Sequence, residues 1–556
     1  MQKIATLSCL LILSACSESE EESIFSGSST LNNGRDTEVC NAISYAKQKN
    51  NTSGKDPLLA YQWHILNNSS PGLIKQDVNL QYSLWNEVTG SGIKVAVIDS
   101  SIDYNHPDLQ SNLDLVNSCQ FGTSPSGGHA TSAAGLISSV KDNALGGSGV
   151  APDSQIQGFN TLDVDPTVLN WETSLSTASS RNRDIDVFNM SLGYPVSTTP
   201  IPFDSNIESF IKQGTESGRG GLGALYFKAA GNNFDDARCS MYQYHSDFLP
   251  CQSSVLDPDN NIPYLMVVSA LNAEGTRASY SSTGSNILFS APGGGDGVGI
   301  ITTNDINLAT DMDDIEGYEG YTDEFTGTSA ATPITSGISA LILQANPNLG
   351  WRDVRDIMIR TADQVDASAP AVVIGNTDNA VNSSTASTTT VKLDWQDNAA
   401  GLSYHNDYGF GRINAVNAVE RAKGYTTNLP PLVSATSKNS SAETIADDIS
   451  VPLSSRLSAP AGVTTVESVQ IKLTLSHPYI SDLMVKLTSP SGTESILLTP
   501  RNALNTEIQN YELTLLSQAF YGENAAGSWQ LQIYDTHSDT YGTGTLHRWS
   551  MTVYGH

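Results

Sequence analysis

From Gly92 onward the chain alternates short apolar runs with longer segments of mixed character. The runs are KVAVID (94–99), QIQGFN (155–160), DVFNMSLG (186–193), ALYFKAAGN (224–232) and YLMVVSAL (264–271). A strand with one wet face alternates polar and apolar residues, whereas a strand buried on both faces is continuously apolar. These runs therefore predict a doubly wound parallel α/β sheet covered by crossover helices, with ligands bound beyond the carboxyl ends of its strands. DPLLAYQWHILNN (56–68) is apolar enough to dock on that core, and Val354, Ile357 and Met358 predict a helix over 351–362. A Ser, Thr, Asn and Ala stretch at roughly 365–390 reads as a surface insertion, and NDYGFGRINAVNAVERA (406–422) as a turn and a closing helix. The two prolines and small polar residues of 427–443 read as a linker. Beyond it the period changes to two. Val469, Ile471, Leu473 and Leu475 alternate with polar residues, as do Trp529, Leu531, Ile533 and then Trp549, Met551, Val553. That pattern predicts an all-β, jelly-roll-like sandwich over 444–556, after an α/β domain over 56–426.

Charge and the first residues change this picture at its edges. With 28 Lys plus Arg against 58 Asp plus Glu the formal charge is -30, which excludes nucleic-acid binding through a basic surface. The N-terminus has a lysine, an apolar run from Ile4 to Leu13 too short to span a bilayer, and small residues before Cys16. Residues 1–15 read as a signal peptide. Leu13-Ser14-Ala15-Cys16 resembles the lipobox of bacterial lipoproteins, which implies export, a lipid on Cys16 as the membrane attachment, and a flexible tether over 16–55. An ordinary secretory signal is the alternative, and it also exports the chain. Outside the export segment four cysteines remain, which allow three pairings. Cys239 and Cys251 are close enough in a turn-rich stretch to bridge, leaving Cys40 with Cys119.

The candidate chemistry begins at FTGTSAATPITSGISALILQAN (325–346), a glycine-marked turn opening into a helix of small residues at Ser329, with Pro333 expected in its first turn. A serine there is ordinarily a helix cap, and becomes a nucleophile only with an activating base. Three residues elsewhere supply the missing chemistry: Asp99 at a strand end, His129 at the start of a small-residue helix, and Asn232 at another strand end. Each alone has a structural explanation. Together they are an orienting carboxylate, a base, an oxyanion donor and a nucleophile.

VAVIDSSIDYNHPDL, GGHATSAAG, AAGNN and the Ser329 stretch resemble the subtilisin-like serine proteases, whose triad runs Asp, His, Ser along the chain. The Ser329 stretch is similar to the kexin and furin branch, and SHPYISDLMVKLTSPSGT (476–493), GSWQLQIYD (527–535) and YGTGTLHRWSMTVYG (541–555) resemble the P domain that follows the catalytic domain there. The resemblance implies an endopeptidase acting on proteins or peptides, with Asp99, His129 and Ser329 as triad and Asn232 as oxyanion donor. It also implies a calcium site formed by the side chains of Asp56, Asp108 and Asn143 and the carbonyls of Val140, Leu145 and Gly147, hard oxygen ligands that suit Ca2+. The chain departs from that branch at Ala130, where a glycine is usual, and at Ser100, where an acidic residue is usual. NMSLGYPVSTTP (189–200) also lacks an acidic run, so strict cleavage after paired basic residues is not implied, although Asp103, Asp235 and Asp236 are available as partial substitutes. Residues 17–55 are too few and too polar for a folded pro-domain, so either a separate chaperone assists folding or folding takes a different course. The competing class is an inert, protease-like binding or adhesion lipoprotein, against which the presence of all four chemistries argues. An esterase or peptide-ligase use of the same site is a third class.

Overall fold

The five apolar runs are strands of one sheet in a computed structural model that describes residues 40, 41, 43, 53–67, 76–122, 127–165, 167–242, 248–306, 314–375, 388–537 and 542–556. The export segment 1–15, Cys16 and nearly all of the tether expected up to 55 lie outside these residues. The strands are β1 (Lys94–Ile98), β2 (Gln155–Phe159), β3 (Val187–Met190), β4 (Leu225–Ala229) and β5 (Met266–Leu271), joined by a sixth, β6 (Ile287–Pro292). All pair in parallel, in the order β2-β1-β3-β4-β5-β6. No apolar run announces β6, which is set among Ser, Gly and Asn and ends on a proline that only a sheet edge tolerates. Helices Gly128–Ser138 and Thr328–Ala345 lie against the sheet and each other. Their small residues permit the close approach: a Cβ on Gly337 would stand 2.7 Å from the Val150 Cβ.

A small antiparallel sheet, β7 (Ile300–Thr303), β8 (Asp314–Ile315) and β9 (Tyr318–Phe325), delivers the chain to the Thr328–Ala345 helix. The stretch expected as an insertion carries a hairpin of β10 (Val372–Gly375) with β11 (Thr388–Lys392), then β12 (Gln396–Asp397) with β13 (Ser403–Tyr404). Both expected disulfides, Cys40–Cys119 and Cys239–Cys251, are formed.

The second domain is a sandwich of two antiparallel sheets. One holds β14 (Val433–Asn439), β15 (Glu443–Ile445), β17 (Val466–His477), β20 (Ile508–Ser517) and β22 (Gly544–Gly555), and the other β16 (Leu453–Ser458), β18 (Leu483–Thr488), β19 (Glu494–Leu498) and β21 (Ser528–Asp535). Inward residues of both sheets, among them Leu473, Trp549, Val485 and Leu531, form a shared core. β14 corrects the linker reading. Val433–Asn439 pairs along its length with β22, and as an edge strand it is largely exposed, so its small polar residues cost nothing.

The two domains share an interior. Tyr521 and Tyr554 of the sandwich belong to the α/β core, and Val255 and Leu256 of the α/β domain belong to the sandwich core. Helix Trp351–Thr361 supplies the polar part of the joint: Arg352 Nε donates to Glu467 Oε2 at 2.9 Å, Arg355 Nη2 to the Glu467 carbonyl at 3.1 Å, and Asp356 accepts the Tyr521 hydroxyl at 3.1 Å. Burial alone would raise the Glu467 pKa, but hydrogen bonds and charge from Arg352, with His556 helping, hold it at about 2. That lies below the unfolded value of about 4.3, so the stabilisation is complete above the unfolded value and is lost as pH falls toward about 2. Glu467→Gln strands Arg352 in the joint and is expected to cost about 3–5 kcal/mol in urea unfolding at neutral pH, with the difference from the parent shrinking below about pH 4.

Candidate active site

Asp99 follows β1 at the carboxyl edge of the sheet, beside the point where the strand order reverses: β2 lies on one side of β1 and β3 on the other. It is completely buried. Its carboxylate accepts the Ser100 N–H at 2.6 Å and the Nδ1–H of His129, which lies 2.8 and 2.9 Å from the two oxygens. His129 is the second residue of its helix, and the entry to that helix is tied to the loop after Asp99. Gly127 N–H donates to the Ser101 carbonyl at 2.8 Å, and Thr131 Oγ1 accepts from Asp103 N–H at 2.9 Å while donating to the Gly127 carbonyl at 2.8 Å. Ala130, the departure from glycine, is simply buried.

Ser329 is also a second helical residue. The cap is Gly327, whose φ of 112° is reserved in practice for glycine, and it offers no side chain. Ser329 Oγ therefore caps nothing; it lies 3.4 Å from the Ser191 carbonyl, just past the end of β3. Pro333 is the sixth residue of the helix, a turn later than expected. It lacks the N–H that would bond the Ser329 carbonyl four residues back, and the Ser191 hydroxyl donates to that carbonyl instead, at 3.0 Å. The proline thereby pins the Ser329 backbone to the strand end.

Asn232 reaches the same helix terminus. Its Oδ1 accepts the Thr328 N–H at 2.9 Å and the Thr328 hydroxyl at 2.8 Å, which turns Nδ2 away from Thr328. A Cβ on Gly327 would stand 3.0 Å from Asn232 Nδ2 and 3.4 Å from Ser329 N. Two N–H donors thus border a space that only the absence of a side chain keeps open. The His129 ring meets the Phe325 ring edge-on at 5.5 Å, two residues before Gly327.

The subtilase family profile matches residues 90–411, and the proprotein convertase P-domain profile matches 466–553. The extracellular serine protease of Aeromonas sobria is 36% identical over 555 residues, covering 89% of this chain and 86% of its own length. The chain belongs to the subtilase family. It is a serine protease with kexin-like relatives: protease KEX1 of Kluyveromyces lactis is 29% identical, covering 90% of this chain and 60% of its own. A crystal structure of the Aeromonas sobria serine protease with a chaperone matches with a TM-score of 0.79 at 32% identity, over 91% of this chain and 96% of that one.

In this subtilase the residues expected to hold calcium gather around one loop. Asp56 accepts the N–H groups of Asp142 and Asn143 at 2.7 and 3.0 Å, and Asn143 Nδ2 donates to Asp108 Oδ1 at 2.7 Å. Burial raises the Asp56 carboxyl to about 6 and the Asp108 carboxyl well above the usual range, and the Asp56 charge raises Asp108 further. The carbonyls of Val140, Leu145 and Gly147 accept no hydrogen bond from the described residues. No cluster of three His, Cys, Asp or Glu stands ready for a metal among the described residues, so a cation here would rest on two carboxylates, an amide and carbonyls.

Two of the three other acids are engaged. Asp236 is paired with Arg238 at 2.9 Å, and Asp103 is buried and accepts the backbone N–H groups of Asn105 and Ile306; Asp235 is exposed. Sequence reasoning missed Lys228, a buried β4 residue whose Nζ bonds Asp257 at 2.6 Å and Asn260 at 2.8 Å, while Asp257 also holds the Tyr194 N–H at 3.4 Å. A lysine inside a continuous apolar run was the available signal.

The pKa of His129 is pulled down by burial and pushed up by the charge and hydrogen bond of Asp99, and the carboxylate prevails. With 40% of the side chain exposed the loss of hydration is limited, which favours the same direction. An NMR titration of the His129 ring is expected to give a midpoint above the ordinary value of about 6.5, falling in Asp99→Asn. A midpoint unmoved by that substitution would contradict the pairing.

Proposed function

We propose that the chain is an exported endopeptidase that cleaves proteins and peptides through Asp99, His129 and Ser329, with Asn232 as oxyanion donor. The observation that carries this reading is the convergence on one sheet edge of an aspartate-held imidazole, a helix-start serine free of capping duty, and an amide fixed with its NH2 away from Thr328. His129 takes the proton of Ser329 as Oγ attacks the peptide carbonyl and delivers it to the leaving amine, while Asp99 holds the tautomer and stabilises the imidazolium. The developing oxyanion enters the space beside Gly327, between Asn232 Nδ2 and the Ser329 N–H. Backbone groups of Leu192 and Gly193 make no hydrogen bond to the described residues, which leaves an edge on which an extended substrate can add as a strand.

Strict cleavage after paired basic residues is not part of the proposal, because Ser100 stands for an acid and Asp236 and Asp257 already have cationic partners. Export is read from the leader sequence and accords with the extracellular relative, with a lipid on Cys16 as the proposed anchor and plain secretion as the alternative; among the described residues no helix is long and apolar enough to cross a membrane. A separate folding chaperone is proposed by analogy with the Aeromonas sobria protease. A fluorophosphonate probe is expected to label the protein at Ser329 and to fail with a folded Ser329→Ala. Asn232→Ala should still label but lose on the order of a hundred- to a thousandfold in kcat. Labelling or hydrolysis by Ser329→Ala would move the chemistry elsewhere, and a parent protein that neither labels nor hydrolyses would return the chain to the class of inert binding lipoproteins.

Asp56, Asp108 and Asn143, with the carbonyls of Val140, Leu145 and Gly147, are proposed to hold Ca2+, which would supply the charge these buried carboxylates lack. The sign follows from Asp56. Its folded pKa of about 6 exceeds the unfolded value of about 3.9, so the apo protein loses stability as pH rises through that window, and a cation binding the ionised form restores it. Calcium against EGTA is therefore expected to raise the melting temperature more at pH 7.5 than at pH 5, by about 2.7 kcal/mol of stability at a hundredfold excess over Kd. Equal shifts at both pH values, or none, count against the site.

A further inference from the structure

The segment Ser191–Ser197, which runs outward from Ser329, is fastened in three places. Its inner end is locked to Ser329 through the Ser191 hydroxyl. Midway, the Tyr194 carbonyl accepts Asn233 Nδ2 at 3.1 Å, opposite the Asp257 contact to Tyr194 N–H. At the outer end Arg238 Nη1 donates to the Val196 carbonyl at 2.8 Å and Ser197 N–H to Gln252 Oε1 at 3.0 Å. The Val196 side chain is buried in a small apolar cluster with Cys239, Cys251 and Ala503. The two cysteines are bridged, and Ala503 comes from the sandwich domain, its N–H donating to the Cys251 carbonyl at 2.8 Å. The turn that carries Ala503 is itself rigid: Asn502 Oδ1 accepts the Leu504 N–H at 3.0 Å, Asn502 Nδ2 donates to the Thr499 carbonyl at 2.9 Å, and Arg501 N–H bonds the Ser481 carbonyl at 2.6 Å.

We propose that the sandwich domain is a positioning element of the substrate cleft, its Ala503 turn buttressing the Cys239–Cys251 bridge and Arg238 that hold the outer half of Ser191–Ser197 for extended substrates. The inference rests on the reading of this segment as the docking edge. A peptide that adds as a strand must find that edge already straight, because ordering it at the moment of binding subtracts from affinity. The inner half is ordered by the α/β domain alone, through Ser191, Asn233 and Asp257. The outer half leans on the residues around the bridge through its carbonyl, its N–H and its apolar side chain. Those residues are tied to the α/β domain by Cys251 N–H to the Phe234 carbonyl at 2.8 Å and Gln252 N–H to the Asn233 carbonyl at 3.0 Å, and Ala503 adds the tie from the sandwich. Ala503 and Gln252 therefore act on binding of long substrates and stay outside the chemistry.

The test compares two fluorogenic peptides in the intact two-domain protein, one with two residues before the cleaved bond and one with six, with active sites counted by fluorophosphonate titration. Ala503→Asp places a charge in the apolar cluster, and Gln252→Leu, the milder change, removes the Ser197 acceptor. Both are expected to raise KM for the long peptide about tenfold, leaving its kcat and the short peptide's kcat/KM per titrated site within about twofold. If both peptides fall in proportion, or neither changes, the inference is overturned. If the parent hydrolyses neither peptide, the reading of the site itself fails, which is a separate outcome. Should Ala503→Asp not fold, Ala503→Ser, the milder polar change at the same sandwich position, decides in its place.

Discussion

A helix that begins without a side-chain cap leaves its first amides in want of acceptors, and the site is organised around that debt. At Thr328 the amide is answered by Asn232, and the Ala330 amide by Gly327 itself at 2.9 Å. What remains is the Ser329 N–H, pointed at the gap beside Gly327, with a partial positive charge at the end of a helix running from Thr328 to Ala345. A serine or aspartate in place of Gly327 would satisfy such amides in an ordinary helix. Here the positive φ and the proximity of Asn232 Nδ2 exclude a side chain, so the donors stay free for something that is not part of the protein. The same logic places Pro333: by withholding one N–H it releases the Ser329 carbonyl to Ser191, and the nucleophile's backbone becomes part of the sheet edge.

Electrostatics sorts the buried carboxylates of this very acidic chain into two kinds. Asp99, Asp257, Asp407 and Glu467 each face a histidine, lysine or arginine, so their charge is compensated inside the fold. Asp56 and Asp108 are buried beside each other with no basic side chain in an ion pair among the described residues, and their carboxyl groups hold their protons more tightly as a result. Asp103 is of the second kind too, buried with only backbone N–H partners, and burial raises its carboxyl likewise.

Much of this was legible in the sequence because burial on both faces and nucleophile chemistry both leave local marks. The apolar runs located β1 to β5, and the four polar residues at run ends or helix starts, Asp99, His129, Asn232 and Ser329, are carried to one edge by the parallel topology. What was not legible depended on partners far along the chain. β14 takes its structure from pairing at an exposed sheet edge, where composition is nearly unconstrained, whereas β6 is buried along its length and its apolar core, Ile287, Leu288 and Phe289, is too short to stand out among Ser, Gly and Asn. Pro333 was placed one turn early because the cap was sought in a serine, whereas a glycine with positive φ does that work. Lys228 was visible as an oddity in ALYFKAAGN, but its meaning required Asp257, 29 residues further on.

The joint between the domains gives the sandwich more than an accessory place. Helix Trp351–Thr361 follows the Ser329 helix after a short turn, and Arg352, Arg355 and Asp356 along it reach into the sandwich for Glu467, Gln518 and Tyr521. Removing the sandwich would leave two guanidinium groups and a carboxylate facing water across a surface that otherwise buries Tyr264 and Trp351. The cost lies with the two aromatic side chains, since the charged groups regain hydration in water, and it falls on the element next to the Ser329 helix. A second line of contact, through Ala503 and Cys251, meets the far side of the cleft. The α/β domain is thus gripped in two places by one sandwich, behind its Ser329 helix through Arg352, Arg355 and Asp356 and beside the Ser191–Ser197 segment through Ala503.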